Sequence, residues 1–291
     1  MSTRLSAEQV ATFNEAGYLV IPAVFRDDEV REFREEADFI LELIVNSSIC
    51  NERHSNRLDL REVNGHHVVR KIQPINDLSL VLSKASNDPR LLDPLRTLMA
   101  DEPVLMEEKL NYKQDLGAKF DHLVARPQDD HFPIHHDWAY YRAQNYPQNI
   151  LSSAITMDDM TADSGPIQVW PGTHRSSLAH RVRPLDGDDT GYRDLEVVPG
   201  LVDREAGVDL IVPGGSVLLF HSLLVHASRA NESGKPRRLM IYSHYPKAAN
   251  MGFDMRNGPN RLRESPHEWR YLRARDAGRY ADQFRVNRIR G

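Results

Sequence analysis

The sequence predicts a mainly β domain that is buttressed by helices at its N-terminal end. Two patterns support this fold class: helical apolar periods occupy much of the first 100 residues, and short apolar runs separated by Gly, Pro, Asp and Asn follow from about residue 103. Many short strands with turn signals between them are typical of a β sandwich or barrel. Helices in front and strands behind favour one buttressed unit, so we predict a single domain over residues 1–291.

Residues 6–100 form the predicted helical buttress. Ser6 followed three residues later by Gln9 is a capping box, so a helix should begin there and stop at Gly17. The other elements predicted in this part are a strand over 18–21, an amphipathic helix over 29–45, a weak strand over 67–72 and helical turns over 77–99 that two prolines interrupt.

The β-rich core is predicted over residues 103–246. Its apolar runs are 104–106, 110–113, 134–138, 150–157, 167–170, 210–212, 217–220 and 239–242. Residues 176–208 interrupt the core with an Asp-, Gly-, Arg- and Pro-rich stretch, and so long a loop in a compact domain is usually a lid or an insertion. The tail, residues 252–291, is rich in arginine and should contain a helix near 266–275.

Composition restricts the kinds of site that the chain can build. There are 13 His but a single Cys, Cys50, so an internal disulfide, a thiolate zinc site and an iron–sulfur cluster are all excluded. A metal would have to be held by nitrogen and oxygen ligands, which leaves zinc, copper, nickel, manganese and non-heme iron.

Charge and hydropathy point to the location and partners. A net charge of −5 argues against a nucleic-acid partner. No stretch approaches the 18 or so apolar residues of a membrane span, and the N-terminus lacks a signal-peptide pattern. We therefore expect a cytoplasmic protein, a monomer or homodimer, that has a small-molecule ligand and binds neither nucleic acid nor membrane.

Two segments carry the strongest chemical pattern. Alternation along a strand places the side chains of His135 and Asp137 on the same face, where both could bind one metal. A later segment contains His226 and then the basic pair Arg237-Arg238. Two His and one carboxylate leave three metal positions open, as in non-heme Fe(II) oxygenases, and a buried Arg suits the distal carboxylate of a bound dicarboxylate.

These motifs resemble the phytanoyl-CoA dioxygenase family, whose members are Fe(II)/2-oxoglutarate-dependent oxygenases. The resemblance spans roughly residues 10–245 and also includes the ectoine hydroxylases and the bacterial hydroxylases of small organophosphonates. It implies a double-stranded β-helix (jelly-roll, cupin-like) core over 103–246, with 176–208 as lid. The segments that carry it, in the order typical of the family, are 134–140, 164–174, 213–216 and 226–231 with Arg237-Arg238 behind.

The resemblance also implies roles for individual residues. The iron ligands would be His135, Asp137 and His226, with 2-oxoglutarate and O2 as cosubstrates. Ser228 matches a position that supports the cosubstrate. Either Arg237 or Arg238 should bind the distal carboxylate of 2-oxoglutarate. Counting along the chain from one reference residue of the motif favours Arg237, and counting from another favours Arg238. We prefer Arg238, since Met240 and Tyr242 would share its face.

The substrate pocket is predicted beside the metal. The candidate residues are Asn111, Lys113, Arg126, Trp138 and Tyr140, although plain core packing explains the two aromatics equally well. Aromatic faces with a basic group would suit a small zwitterion.

The resemblance implies hydroxylation of a C–H bond, with succinate and CO2 as coproducts. The candidate substrates are 2-aminoethylphosphonate, trimethylaminoethylphosphonate and ectoine-like solutes. A cupin-like metal-binding sensor, or a metalloenzyme that uses a metal other than iron, remains the alternative.

Overall fold

The structure, a computed structural model, describes residues 4–126, 130–183, 194–251 and 265–279. The helices are α1 (Ala7–Ala16), α2 (Asp27–Cys50), α3 (Leu80–Ala85), α4 (Pro89–Met99), α5 (Trp138–Tyr141) and α6 (Ser265–Asp276). The strands are β1 (Tyr18–Ile21), β2 (Leu58–Val63), β3 (His66–Ile72), β4 (Pro103–Asp115), β5 (Phe132–His135), β6 (Leu151–Thr156), β7 (Ile167–Val169), β8 (His180–Val182), β9 (Leu195–Val197), β10 (Val208–Asp209), β11 (Val217–His221), β12 (His226–Ser228) and β13 (Leu239–Pro246).

Antiparallel sheets dominate the architecture, as the sequence predicts. The large sheet has seven strands in the order β1-β11-β6-β13-β4-β3-β2, and the small sheet has four in the order β10-β7-β12-β5. A separate hairpin pairs β8 with β9. Residues of both the large and the small sheet line one cavity, so this cavity lies between them.

Helices cover the outer face of the large sheet. The capping box of α1 is present: Ser6 Oγ accepts the Gln9 N–H at 3.1 Å, and Gln9 Oε1 accepts the Ser6 N–H at 2.9 Å. Helix α2 buries its apolar side in the main core, and the Tyr112 hydroxyl of β4 donates to Ala37 O of α2 at 2.8 Å. On β13, Met240 and Tyr242 belong to this helix-covered core, whereas Leu239 and Ile241 face the cavity.

Helix α2 runs five residues beyond its predicted end at residue 45. Polar residues follow that point, but Ser47 Oγ and Ser48 Oγ donate to Ile44 O at 3.2 and 2.7 Å. Because a carbonyl of the helix backbone accepts both hydroxyls, these serines can be buried inside a continuing helix.

Strand β2 lies before residue 67, in a stretch for which the sequence predicted no helix or strand. Asn64 and Gly65 join β2 to β3 with positive φ angles of 52° and 79°. An Asn-Gly pair with both φ angles positive is the preferred two-residue hairpin turn, so this dipeptide was the overlooked signal.

The described parts of the predicted lid and tail pack onto the body of the protein. Of residues 176–208, positions 184–193 lie outside the described residues; of the tail 252–291, only 265–279 are described. Helix α6 packs against α2, where Arg275 pairs with Glu36 at 3.4 Å. No helix in the described ranges combines the length and apolarity that a membrane crossing needs.

Candidate metal centre and cosubstrate pocket

A cavity of about 230 Å³ between the two sheets contains the predicted metal ligands. The large sheet and its flanks contribute Arg70, Lys71, Gln73, Glu107, Lys109, Asn111, Phe220, Arg237, Leu239 and Ile241 to its wall. The small sheet, helix α5 and the segment before β9 contribute Phe132, Pro133, His135, Asp137, Tyr140, Tyr141, Ile167, Asp194, His226, Ala227 and Ser228.

The two histidines stand opposite each other on neighbouring strands. His135 ends β5 and His226 begins β12, and the two residues are paired in register with ring centroids 4.4 Å apart. Each Nδ1 lies close to a backbone carbonyl, Pro133 O at 2.7 Å and Leu224 O at 2.9 Å. Because Nδ1 donates to the carbonyl, Nε2 keeps its lone pair and faces the cavity as a metal ligand would.

The carboxylate reaches the histidines from a turn. Strand β5 ends at His135, and Asp137 has helical backbone angles immediately before α5, so the prediction that both residues lie on one strand is wrong. The Asp137 side chain nevertheless points towards the two histidines: Oδ1 lies 3.6 Å from Nε2 of both His135 and His226. The side chain of His136 points away, and its ring packs against His180 at 4.1 Å.

The electrostatics of the three groups favour binding of a cation. Burial alone would raise the pKa of Asp137, but His226 and His135 lower it below the usual range, so the carboxylate is ionised. Burial lowers the pKa of His226 to about 4, which keeps the imidazole neutral at physiological pH. One ligand atom from each of the three residues lies within 4.8 Å of the others, a spacing and donor set suited to a divalent first-row metal with open positions.

Of the basic pair Arg237-Arg238, Arg237 is the residue that enters this cavity. Its side chain is buried, and Nη2 donates to Gly165 O at 3.0 Å. Nε and Nη1 have no hydrogen-bond partner within the described ranges, and burial lowers the pKa of the guanidinium to about 10. Ser228 and Asn111 also line the cavity, and Asn111 Oδ1 likewise lacks a partner among the described residues.

Arg238 lies on the other face of the strand segment, contrary to our preference for it. It shares the face of Met240 and Tyr242, as predicted, but that face packs against the helices and not against the cavity. Arg238 Nε and Nη2 donate to the Asp158 carboxylate at 2.9 and 3.0 Å, and Nη1 donates to Asp38 of α2. Its guanidinium is therefore already paired.

Two of the five predicted substrate residues line the cavity: Asn111 and Tyr140. The Tyr140 ring meets the His135 ring edge-on at 5.8 Å, and its hydroxyl accepts the Leu195 N–H at 2.9 Å. Tyr140 thus connects the metal site to the C-terminal half of the predicted lid.

The other three predicted substrate residues lie elsewhere. Lys113 Nζ donates to backbone oxygens of Asp130, at 2.9 Å, and of Arg229. Arg126 pairs with Asp59 and Asp194 at 3.3 and 3.4 Å. Trp138 packs in a side cluster and donates Nε1–H to Tyr146 O at 3.3 Å. The polar groups of all three side chains therefore bind other parts of the protein and do not line the cavity.

Several polar wall residues escaped the sequence analysis. Glu107 and Lys109 share the cavity face of β4 with Asn111; Glu107 pairs with Lys109 at 2.7 Å and accepts the Tyr141 hydroxyl at 2.8 Å. Polar residues at alternate positions of a strand that is otherwise buried were the available signal.

Comparison with known proteins identifies the family. The family model of phytanoyl-CoA dioxygenase (PhyH) matches residues 13–239. The chain belongs to the phytanoyl-CoA dioxygenase family. Membership of this family places it among the 2-oxoglutarate-dependent non-heme iron oxygenases, whose cofactor and cosubstrates are Fe(II), 2-oxoglutarate and O2, as the motifs predicted.

Named relatives within the phytanoyl-CoA dioxygenase family include the ectoine dioxygenases. That of Sphingopyxis alaskensis is 27% identical over 246 residues, which cover 80% of this chain and 73% of the relative. That of Halomonas elongata is 25% identical over 244 residues, covering 80% and 68%. A crystal structure of EctD from S. alaskensis with bound Fe superimposes with a TM-score of 0.61 at 25% identity, covering 84% of this chain and 78% of that one. This similarity confirms the jelly-roll core.

Proposed function

We propose that the protein uses Fe(II), 2-oxoglutarate and O2 to hydroxylate a C–H bond of a small polar substrate, with succinate and CO2 as coproducts. The observation that carries this proposal is Arg237, a buried guanidinium whose Nε and Nη1 lack partners within the described ranges, in the same cavity as three converging metal-ligand atoms. Asp130 and Asp158 act on this guanidinium from a distance, but no described carboxylate forms a direct ion pair with it, so an anionic ligand is a suitable partner.

The iron would be held by His135, Asp137 and His226. When bound, it supplies the oxidative chemistry that amino-acid side chains lack. The protein's contribution is positional: the carbonyls of Pro133 and Leu224 fix both imidazole rings with Nε2 towards the cavity.

Arg237 would bind the distal carboxylate of 2-oxoglutarate through its two unpartnered donors. Ser228 and Asn111 lie on the same cavity wall and would add a hydroxyl donor and an amide donor for the cosubstrate oxygens. Arg237 lines the cavity from the large sheet, and the two histidines line the same cavity from the small sheet, so a molecule held by Arg237 would share the cavity with the metal ligands.

A small substrate fits the remaining space. The cavity volume of about 230 Å³ lies below the roughly 300–1,000 Å³ typical of sites for drug-sized ligands, and 2-oxoglutarate occupies part of it. Tyr140, Glu107 and Lys109 offer hydroxyl, carboxylate and ammonium groups there. The ectoine dioxygenases among the relatives are named for a small polar solute, and a phosphonate zwitterion has comparable chemistry.

Anaerobic titration tests the proposal. Fe(II) followed by 2-oxoglutarate should produce the metal-to-ligand charge-transfer band of the bound chelate, and adding O2 with substrate should release succinate. His135→Ala should lose the band, whereas His66→Ala, which changes an exposed histidine, should keep it. Full activity of His135→Ala, or a wild-type protein without the band, would refute the assignment. Metal analysis of the purified protein tests the non-iron alternative.

A further inference from the structure

The charged groups of the cavity wall leave one cation without an assigned counter-charge. The wall carries four cations, Arg70, Lys71, Lys109 and Arg237, and three carboxylates, Glu107, Asp137 and Asp194. Glu107 pairs with Lys109 at 2.7 Å. In the proposed function Asp137 binds the metal and Arg237 binds the cosubstrate, so Arg70, Lys71 and Asp194 remain to be explained.

Arg70 and Asp194 belong to a buried ion cluster behind the wall. Arg70 contacts the carboxylates of Asp59 and Asp194 at 2.7 and 3.3 Å, and Arg61 contacts the same two at 2.6 and 3.3 Å. With Arg126 the cluster holds three guanidiniums against two carboxylates. Its net charge of about +1 therefore cannot neutralise Lys71, and instead adds to the positive potential at this end of the cavity.

Lys71 reaches the cavity because of a bulge in its strand. The register between β3 and β4 shifts between Val69 and Lys71, so two consecutive side chains, Arg70 and Lys71, line the same cavity. Lys71 is half-buried and stands opposite Asn111 in the sheet. Within the part of the chain that the structure describes, its ammonium forms no hydrogen bond and no ion pair.

We propose that Lys71 binds an anionic group of the primary substrate, which makes the substrate a small organic anion or an anion-bearing zwitterion, such as a carboxylate or phosphonate. This inference rests on the proposed function. The other anion that enters the cavity, 2-oxoglutarate, has its own cation in Arg237, which lies two residues before β13. Lys71 lies on β3, two strands away. The two anions would therefore occupy different parts of the same large sheet.

Binding of three matched ligands tests the inference. Anaerobic protein loaded with Fe(II) and 2-oxoglutarate is titrated with 2-aminoethylphosphonate, ethylphosphonate and ethylamine, and perturbation of the charge-transfer band reports the dissociation constant. Both phosphonates should bind and the amine should not. Lys71→Ala should weaken phosphonate binding roughly ten- to hundredfold, the value of one charge-assisted hydrogen bond. Lys71→Arg should retain most of the affinity.

Two controls separate the possible causes. Lys84→Ala, which removes an exposed lysine of α3, should bind all ligands like the wild type. The affinity of Lys71→Ala for 2-oxoglutarate should stay unchanged; a matching loss there would assign Lys71 to the cosubstrate and overturn the inference. Three other results would also overturn the inference. They are equal binding of the amine and the phosphonates, wild-type phosphonate affinity in Lys71→Ala, and no phosphonate binding to a protein that shows the charge-transfer band. Absence of the band itself would refute the proposed function instead.

Discussion

Replacement of Arg237 by Met should weaken the binding of 2-oxoglutarate without destabilising the folded protein. The methionine keeps much of the side-chain volume and removes the charge. In the wild type, only Nη2 of the buried guanidinium has a hydrogen-bond acceptor in the described structure, Gly165 O at 3.0 Å. The neighbouring Arg238 provides the matched control, because Arg238→Met removes an identical group from the opposite face.

The expected loss of affinity follows from the two unpartnered donors. A carboxylate bound by Nε and Nη1 makes two charge-assisted hydrogen bonds, each contributing about 1.5–3 kcal/mol. Taking the lower value, the loss of both costs about 3 kcal/mol, which raises the dissociation constant of 2-oxoglutarate by a factor of at least about 100.

The effect on stability should distinguish the two variants in the opposite way: Arg238→Met should destabilise the protein, whereas Arg237→Met should not. Removing a buried cation that has no direct ion pair relieves its desolvation cost and breaks one hydrogen bond, to Gly165 O, so the free energy of unfolding of the ligand-free protein should change little. Arg238→Met instead breaks the contacts with Asp158 and Asp38. Since these carboxylates are partly exposed, we expect a loss of about 1–3 kcal/mol.

Two measurements on both variants test this reasoning. Titration of the charge-transfer band gives the affinity for 2-oxoglutarate, and urea denaturation without ligand gives the free energy of unfolding. Arg237→Met should lose affinity and keep stability, whereas Arg238→Met should lose stability and keep affinity. The reverse result, or an Arg237→Met protein that binds 2-oxoglutarate like the wild type, would refute the assignment of Arg237.

Three further predictions concern the metal, the loop contact and the ion cluster. Dialysis against a chelator should abolish activity and Fe(II) should restore it in the wild type, but not in His226→Ala; restoration in that variant would exclude His226 as a ligand. Tyr140→Phe removes the acceptor of the Leu195 N–H. The free energy of unfolding in urea should therefore fall by about 1 kcal/mol, and protease cleavage in the 194–209 segment should accelerate. An unchanged free energy of unfolding and cleavage rate would show that this contact does not hold the segment. Burial would raise the pKa of Asp194, but Arg70, Arg126 and Arg61 lower it below its usual value. Its stabilising contribution is therefore present above about pH 4, the unfolded value, and lost as the pH falls further. Asp194→Asn should be less stable at pH 7 and lose less stability than the wild type as the pH falls below about 4. A slope like that of the wild type in this range would contradict the prediction.

Local patterns in the sequence were sufficient to indicate the candidate metal ligands and to predict much of the secondary structure. The capping box at Ser6 and the periodicity of α2 report interactions between residues close in the chain, so they can be recognised without a tertiary structure. The two histidines are recognisable for a similar reason, since each stands in a short motif next to a strand. Asp137 lies beside both histidines although the predicted strand geometry was wrong, because a turn after His135 returns the carboxylate to the same side.

Long-range packing decided the remaining residues. Alternation along the chain shows that Arg237 and Arg238 face opposite sides, but only the helices packed on Met240 and Tyr242 determine which side is the cavity. Lys71 faces the cavity because of a bulge between two strands, which single-strand periodicity cannot predict. Lys113 and Arg126 are withdrawn from the site by partners more than 15 residues away in sequence. The sequence by itself thus determined the fold class and indicated the candidate metal ligands. Only the tertiary structure decided which cations face the cavity, because their orientation depends on contacts between distant segments.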